Sequence, residues 1–336
     1  MEGKLLNNKE NQDAPVGNLL IVVVNWNTKD LLLRCLQSLQ LCQTSVAFDV
    51  VIVDNGSDDG SIEMIKANFL KYFLICNTEN MGFAKANNLA FHSFPHYANY
   101  LLLNSDAAIT ADVINTLQSF LKTHLDVAAV APALKLPSGK LQFGGAGWGP
   151  SWINTFNSFF MFSSLSKVFK GLFICQKQYM NSKKPIFVDW LAGAALLIRK
   201  EAIEKVGVFD EFYFVYGEDA EWCWRARKSG WKMAYLPYVS ALHELGASST
   251  SKFNPSWFLN LADAISISGS RMNYILFLIT GLMGYFLRSV LYTLLCFIQG
   301  NKNYGERKKQ FTDLLATCYK LLISPTSVAG IRKGSV

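Results

Sequence analysis

Short, continuous apolar runs alternate along the first half of the chain with stretches whose apolar positions recur every three or four residues. Residues 19–24 form a β-branched run, the mark of a strand buried on both faces. Leu31, Leu32, Cys35, Leu36 and Leu39 follow at helical spacing, with Thr28 placed to cap that helix. Residues 46–53 read as a second strand that breaks at Asp54-Asn55-Gly56-Ser57, and Ser61 opens a helix with Ile62, Ile65 and Phe69 on one side. A third strand over 72–76, a helix over 83–92 and a fourth strand over 100–103, ending at Asn104-Ser105-Asp106, complete the series. Strand and helix in strict alternation with short links predict an α/β fold with a mostly parallel sheet and flanking helices. In such sheets ligands sit outside the carboxyl ends of the strands. Those ends carry Asn25 and Asn27, then Asp54, Asn55 and Ser57, then Asn77 and Asn80, then Asn104 and Asp106. Turns favour these residue types anyway, but four polar ends along one sheet edge point to a polar-ligand site.

The remainder of the chain changes character several times. Residues 1–17 are polar, contain Pro15 and Gly17, and read as a disordered tail. Residues 140–185 open with the glycine cluster 144–149 and continue as an aromatic run, which reads as an insertion over the sheet. Order returns with a strand pair around 194–198, a helix from Glu201 and a motif-dense stretch over 209–249. Beyond it lie an apolar segment, 274–298, and a basic tail.

Composition sharpens this picture. Of 336 residues, 51% are apolar and only 17% charged, which excludes a disordered, acidic or collagenous chain. The net charge of +7 resides entirely in residues 265–336, because residues 1–264 hold equal numbers of basic and acidic side chains. Basic charge beside the most apolar stretch points to membrane lipids and away from nucleic acid. Segment 274–298 is long enough to span a bilayer, but Gly281, Gly284 and a central Arg288 favour an interfacial amphipathic hairpin, followed by Arg307-Lys308-Lys309, over a spanning helix or a buried oligomer face. The seven cysteines (35, 42, 76, 175, 223, 296 and 318) show no CxxC and read as reduced core thiols. The first apolar run is too short for a signal peptide, which predicts a catalytic part on the cytoplasmic side.

Three clusters carry chemistry. Asp106, at a strand end facing a hollow, suits a hard divalent cation that keeps waters and binds phosphate oxygens, although a turn aspartate would look the same. Gly217-Glu218-Asp219-Ala220-Glu221 crowds three carboxylates beside the aromatic run 212–216, where mutual repulsion and burial raise pKa values toward useful base strength. The plain alternative is a solvated helix start. His243, after a strand-like run over 238–242, has the chemistry to complete a metal site with Asp106, and His243-Glu244-Leu245-Gly246 lacks the second histidine of a zinc-protease helix. No GxxxxGK[ST], no GxGxxG after the first strand and no GxSxG is present, which argues against P-loop, dinucleotide-binding and α/β-hydrolase chemistry.

Taken in order, Val23-Val24-Asn25-Trp26-Asn27, Val53-Asp54-Asn55-Gly56-Ser57-Asp58-Asp59-Gly60-Ser61, Asn80-Met81-Gly82-Phe83-Ala84-Lys85-Ala86-Asn87-Asn88, Leu103-Asn104-Ser105-Asp106, Gly217-Glu218-Asp219 and His243 resemble a family 2 glycosyltransferase with the GT-A fold, in its bacterial rhamnosyltransferase-like branch. The resemblance covers about residues 19–250. It implies a nucleotide-sugar-binding half over 18–110, an acceptor-binding and catalytic half over 111–250, and a membrane-associated helical and basic tail over 251–336. It implies that Asp54 accepts from the N3–H of a uracil or thymine, that Asn25, Asn27 and Asn55 line the nucleotide pocket, and that Asn80, Gly82, Lys85, Asn88, Asn104 and Gly193 shape the sugar-nucleotide site, with Lys85 near the phosphates. Asp106 corresponds to the metal-binding carboxylate, with Asn104 where many members have aspartate. His243 corresponds to a further ligand of Mg²⁺ or Mn²⁺, and Asp219 to the catalytic base with Glu218 beside it. The implied reaction is an inverting transfer of a sugar, rhamnose from dTDP-rhamnose fitting best, from a nucleotide-diphospho-sugar donor to a lipid-linked or polysaccharide acceptor. The implied place is the cytoplasmic face of the cell membrane, held peripherally or monotopically. A sugar-phosphate nucleotidyltransferase, or a non-catalytic membrane scaffold with a decayed transferase domain, are the rivals. Residues 24–30 lack the Gly-rich loop of the first, and the retained Asp54, Asp106, Asp219 and His243 oppose the second.

Overall fold

The computed structural model describes residues 4–6, 17–42, 47–149, 182–244, 256–268, 271–299 and 302–323. The chain divides into two compact units, residues 1–147 with 176–250 and residues 148–175 with 251–336. In the first unit, β2 (Leu19–Asn25), β3 (Asp49–Asp54), β4 (Phe73–Cys76) and β5 (Asn99–Asn104) pair in parallel in the order β4-β3-β2-β5. Their residues are buried on both faces, as β-branched and leucine runs require, under α1 (Lys29–Cys42), α2 (Ser61–Asn68), α3 (Phe83–Ser93) and α4 (Ala111–Thr123). Register does the work that positions the site. Asn25 lies opposite Asp54, Val24 opposite Asn104 and Asp54 opposite Cys76, so the polar strand ends share one edge.

The second half of this sheet departs from simple alternation. Strand β11 (Ala195–Arg199) runs antiparallel between β5 and β7 (Val127–Lys135). Strand β12 (Lys232–His243) then pairs in parallel with β7 and antiparallel with the two-residue β6 (Ala107–Ala108) and with β9 (Ile186–Val188). Between Leu236 and Ser240 the β7–β12 register shifts, past Pro237, which has no N–H for the ladder. That irregularity re-aims the end of β12 and sets His243 opposite Ala107. The strand expected over 238–242 is therefore the tail of one that starts at Lys232. β8 (Ala146–Gly147) pairs with β10 (Trp190–Leu191), and α5 (Lys200–Val206) and α6 (Glu218–Lys228) complete this unit. Most of the expected insertion, residues 150–181, lies outside the described residues.

Two expectations need correction here. Lys4–Leu6, within the expected disordered tail, forms strand β1, which pairs antiparallel with β4 because the outer edge of β4 has backbone groups to satisfy. Thr28 does not cap α1 with its side chain; its hydroxyl donates to Asn25 Oδ1 at 2.7 Å. Asp59 Oδ2 instead accepts from the Lys29 N–H at 2.8 Å.

The second unit contains α7 (Ser256–Ser268), α8 (Arg271–Gln299) and α9 (Lys302–Ile323). Segment 274–298 is one continuous helix within α8, not a hairpin. Gly281 does not break it, because the missing side chain admits a neighbour: a Cβ there would lie 3.1 Å from Cys318 Sγ and 3.6 Å from the Phe258 ring. Tyr274, Phe277, Leu278 and Tyr285 pack with Phe258, Leu314, Cys318 and Leu321 into a core. The guanidinium of Arg288 lies over the Phe311 ring at 6.0 Å, so its charge is not stranded. Residues 271–298 are long and apolar enough to cross a membrane, with mean hydropathy 1.7 over their most apolar 18 residues. Four of the six described cysteines are buried, no two of the six are joined by a disulfide, and Cys175 lies outside the described residues.

Candidate active site

The polar end of the parallel strands is a closed network of short side chains. Asn25 Nδ2 donates to Asp54 Oδ2 at 2.7 Å and to Ser57 Oγ at 3.0 Å, and the Ser57 N–H donates to Asp54 Oδ1 at 2.8 Å. The Thr28 hydroxyl also lies 2.8 Å from that of Ser105, which stitches β2 to the end of β5. Asp54 has no exposed surface, so in this arrangement its carboxylate organises the Asn25–Ser57 corner rather than facing a base. Asn27 is the exposed member: it sits at a left-handed φ of 52°, its N–H donates to Ser57 Oγ and its Oδ1 accepts from the Asp58 N–H. Asn55 is buried; it accepts from Asn77 Nδ2 at 2.8 Å and donates to Gly82 O at 3.2 Å and Asn80 Oδ1 at 3.3 Å.

Helix α3 begins at Gly82, whose φ is 84°; a Cβ there would lie 2.4 Å from Phe214 O. The Phe83 N–H donates to that same carbonyl at 2.7 Å, so the loop leading into α6 is pinned against the start of α3. Lys85, on the first turn of α3, is exposed. Asn88 is not: its amide donates to Phe209 O and accepts from the Phe209 N–H, clamping that loop instead of lining the hollow.

At the start of α6, Asp219 is half-buried while Glu218 is buried. Asp219 Oδ2 accepts from the Gly193 N–H at 2.8 Å, and Oδ1 from the Ala220 N–H at 2.7 Å. Burial raises the Asp219 pKa above the ordinary carboxylate value against the pull of those two amides. Burial, and then the Asp219 charge, push Glu218 well above it, and among the described residues Glu218 Oε2 has no hydrogen-bond partner. Gly193 is a glycine for space: a Cβ would meet the Phe83 ring at 3.1 Å. The next residue reaches the other side of the site, since Ala194 O accepts from the Asn104 N–H at 3.0 Å. Glu221, the third of the crowded carboxylates, belongs to the scaffold and accepts from Arg225 Nε at 2.7 Å.

Asp106 and His243 are both buried, and Asp106 Oδ1 stands 3.2 Å from His243 Nε2. Asn104 Nδ2 lies 3.3 Å from the same ring nitrogen. The Glu244 N–H donates to Asp106 O at 2.9 Å, and Arg34 binds both Glu244 carboxylate oxygens, which fixes the strand end beyond His243. One buried carboxylate oxygen and one imidazole nitrogen converging in this way fit a divalent cation that takes its other ligands from phosphate and water. Among the described residues no set of three or more His, Cys, Asp or Glu is grouped for a metal, so the cation would depend on donor oxygens.

Sequence reasoning missed Gln142, whose Oε1 lies 2.8 Å from His243 Nδ1, and Ser105 with Thr28. Ser105 stood inside the motif Leu103-Asn104-Ser105-Asp106; a lone glutamine in an irregular stretch gave no signal.

A family model described as glycosyltransferase like family 2 matches residues 15–259. The N-acetylglucosaminyl-diphospho-decaprenol L-rhamnosyltransferase of Mycobacterium tuberculosis is 27% identical over 267 residues, 73% of this chain and 84% of the relative. The dTDP-rhamnosyl transferase RfbF of Shigella flexneri is 24% identical over 69% of this chain and 71% of its own length. Among solved structures, the mannosyltransferase PcManGT from Pyrobaculum calidifontis in complex with GDP-Man and Mn²⁺ gives a TM-score of 0.51 at 14% identity, over 94% of this chain and 91% of that one. GalNAc-T7 with UDP, GalNAc and Mn²⁺ gives 0.55 at 15% identity, over 94% of this chain and 58% of that one. At such identities the structural likeness speaks to the fold, which is GT-A-like.

Proposed function

We propose that this chain, which belongs to the glycosyltransferase-like family 2, transfers rhamnose from dTDP-rhamnose to a lipid-linked acceptor with inversion at the anomeric carbon. That it is a glycosyltransferase of the rhamnosyltransferase branch, acting in glycan synthesis, follows from the family match and its relatives. The donor and acceptor are our reading, supported by two relatives whose names give rhamnosyl transfer and, in one, a diphospho-decaprenol-linked N-acetylglucosamine. One observation carries the mechanism. Gly193 and Ala194, adjacent in the chain, bond to Asp219 and to Asn104, which ties a carboxylate of raised pKa to the end of β5 that leads into Asp106, with His243 across the β6–β12 pair.

The roles follow from those positions. Asn27 and Ser57, braced by Asn25 and Asp54, form the wall for the nucleotide. A divalent cation, Mg²⁺ or Mn²⁺, held by Asp106, His243 and diphosphate oxygens, would supply positive charge against the departing diphosphate. Lys85 adds charge from the start of α3. Asp219 takes the proton of the acceptor hydroxyl as its oxygen bonds to the anomeric carbon from the face opposite the leaving diphosphate. No covalent carboxylate intermediate is required.

The lipid character of the acceptor agrees with the second unit. Met283, Phe286, Leu287, Val290, Leu291 and Leu294 form an exposed apolar stripe on α8, and Arg307, Lys308 and Lys309 are exposed at the start of α9. A one-sided stripe with flanking basic charge fits an anionic membrane surface on the cytoplasmic face.

The test is a panel of sugar nucleotides with Mg²⁺ or Mn²⁺ and a polyprenyl-diphosphate-linked N-acetylglucosamine, read by nucleoside diphosphate release. We expect dTDP-rhamnose to give the highest rate, and Asp106→Ala or excess EDTA to abolish it. Full turnover in excess EDTA would overturn the cation; no acceptor-dependent release with dTDP-rhamnose would overturn the donor assignment.

A further inference from the structure

The ring of His243 has two nitrogens with opposite surroundings. Nδ1 lies 2.8 Å from Gln142 Oε1, and an amide oxygen can only accept, so Nδ1 carries the ring proton and donates it. Nε2 lies 3.3 Å from Asn104 Nδ2, which can only donate, and 3.2 Å from Asp106 Oδ1, so its lone pair is on the side of the Asp106 carboxylate. Had the proton been on Nε2, that face would donate to the carboxylate and offer nothing to a cation. Gln142 is held for this purpose by its backbone. A tight turn returns the chain after β7, with the Gly139 N–H donating to Leu136 O and the Leu136 N–H to Lys140 O, and the Gln142 N–H donates to Leu134 O at 2.8 Å. Turn, strand end and imidazole thus form one hydrogen-bonded unit.

We propose that Gln142 is the positioning residue of the cation site: by accepting from Nδ1 it fixes the tautomer and ring orientation in which His243 Nε2, with Asp106, binds a divalent cation. The proposal rests on the reading of Asp106 and His243 given above. Partners that orient a metal-binding imidazole in this way are worth about 10–100-fold in metal affinity when removed.

The test uses the full-length protein and Mn²⁺ with dTDP, binding being read from the loss of the free Mn²⁺ signal in electron paramagnetic resonance. Gln142→Met keeps the length and shape of the side chain without an acceptor, whereas Gln142→Glu keeps the acceptor; His243→Ala reports on the site itself. We expect Gln142→Met to weaken Mn²⁺ about 10–100-fold, Gln142→Glu to restore parental affinity or better, and metal-free melting to be unchanged in both. If Gln142→Met binds Mn²⁺ like the parent while His243→Ala is weakened, the cation site stands and the role of Gln142 is overturned. If both Gln142 variants weaken binding equally, the acceptor argument is overturned, because Glu retains an acceptor. If His243→Ala binds like the parent, His243 is no ligand and the proposal falls with that reading.

Discussion

If Asp219 is the base proposed above, one atom-sized change there separates binding from chemistry. Asparagine keeps its size and can still accept from the Gly193 N–H, but it cannot take a proton. Asp219→Asn is therefore expected to lower kcat by about 10²–10⁴-fold with donor affinity unchanged, measured by diphosphate release and by calorimetry. Because burial raises the Asp219 pKa, the acid limb of the pH–rate profile should lie above the range of an ordinary aspartate, with activity rising as the base deprotonates. Asp54 behaves differently. Its removal in Asp54→Ala leaves Asn25 Nδ2 and the Ser57 N–H without their acceptor, so we expect a loss of about 1–3 kcal/mol in urea unfolding together with weaker donor binding. Parental stability with donor binding lost would instead place Asp54 in direct contact with the nucleotide.

At the scale of elements, the start of α6 carries a cost. Glu218 is raised by burial and by the Asp219 charge, so its contribution to stability is complete below the ordinary glutamate pKa and is lost as pH rises through the raised folded value. Glutamine has no such loss. Glu218→Gln should match the parent in acid and melt higher on the alkaline side of that window, by about 2–4 °C for each kcal/mol removed, in a pH series of thermal melts. A variant that melts lower at alkaline pH would show that the charged form is stabilised. The elements themselves were legible where one period ruled a stretch: the runs ending at Asn25, Asp54 and Asn104 could be nothing but buried strands. What escaped was non-local. Nothing in Ala195–Arg199 announces that it will run antiparallel beside β5, since register is decided by partners far along the chain. The helix through Gly281 and Arg288 escaped for a related reason, as Cys318 and Phe258 supply the packing that offsets the weak helix position Gly281, and the Phe311 ring takes the charge of Arg288. Gln142 was invisible because one amide in an irregular stretch has no pattern.

For the whole molecule, the apolar stripe of α8 and the basic start of α9 both lie beyond residue 250, in the part that residues 251–336 give to the second unit, so truncation after Ser251 should release the protein from membranes. Washing distinguishes the contributions. Retention in high salt with release of the truncated chain is the expected result; release of the intact protein by salt alone would leave only electrostatic attachment. The order of strands has a further consequence, for synthesis. Leu103 cannot find its partner Ala195 until that residue has left the ribosome, so one flank of β5 waits with open backbone groups. At about 5–20 residues per second that wait lasts roughly 5–20 s, long enough for a chaperone to bind or for two nascent chains to pair. A fragment ending at residue 135 should therefore aggregate on expression while one ending at residue 250 stays soluble, as centrifugation of lysates would show. The strand that joins the two halves of the site is also the one that decides how long the newborn chain is vulnerable.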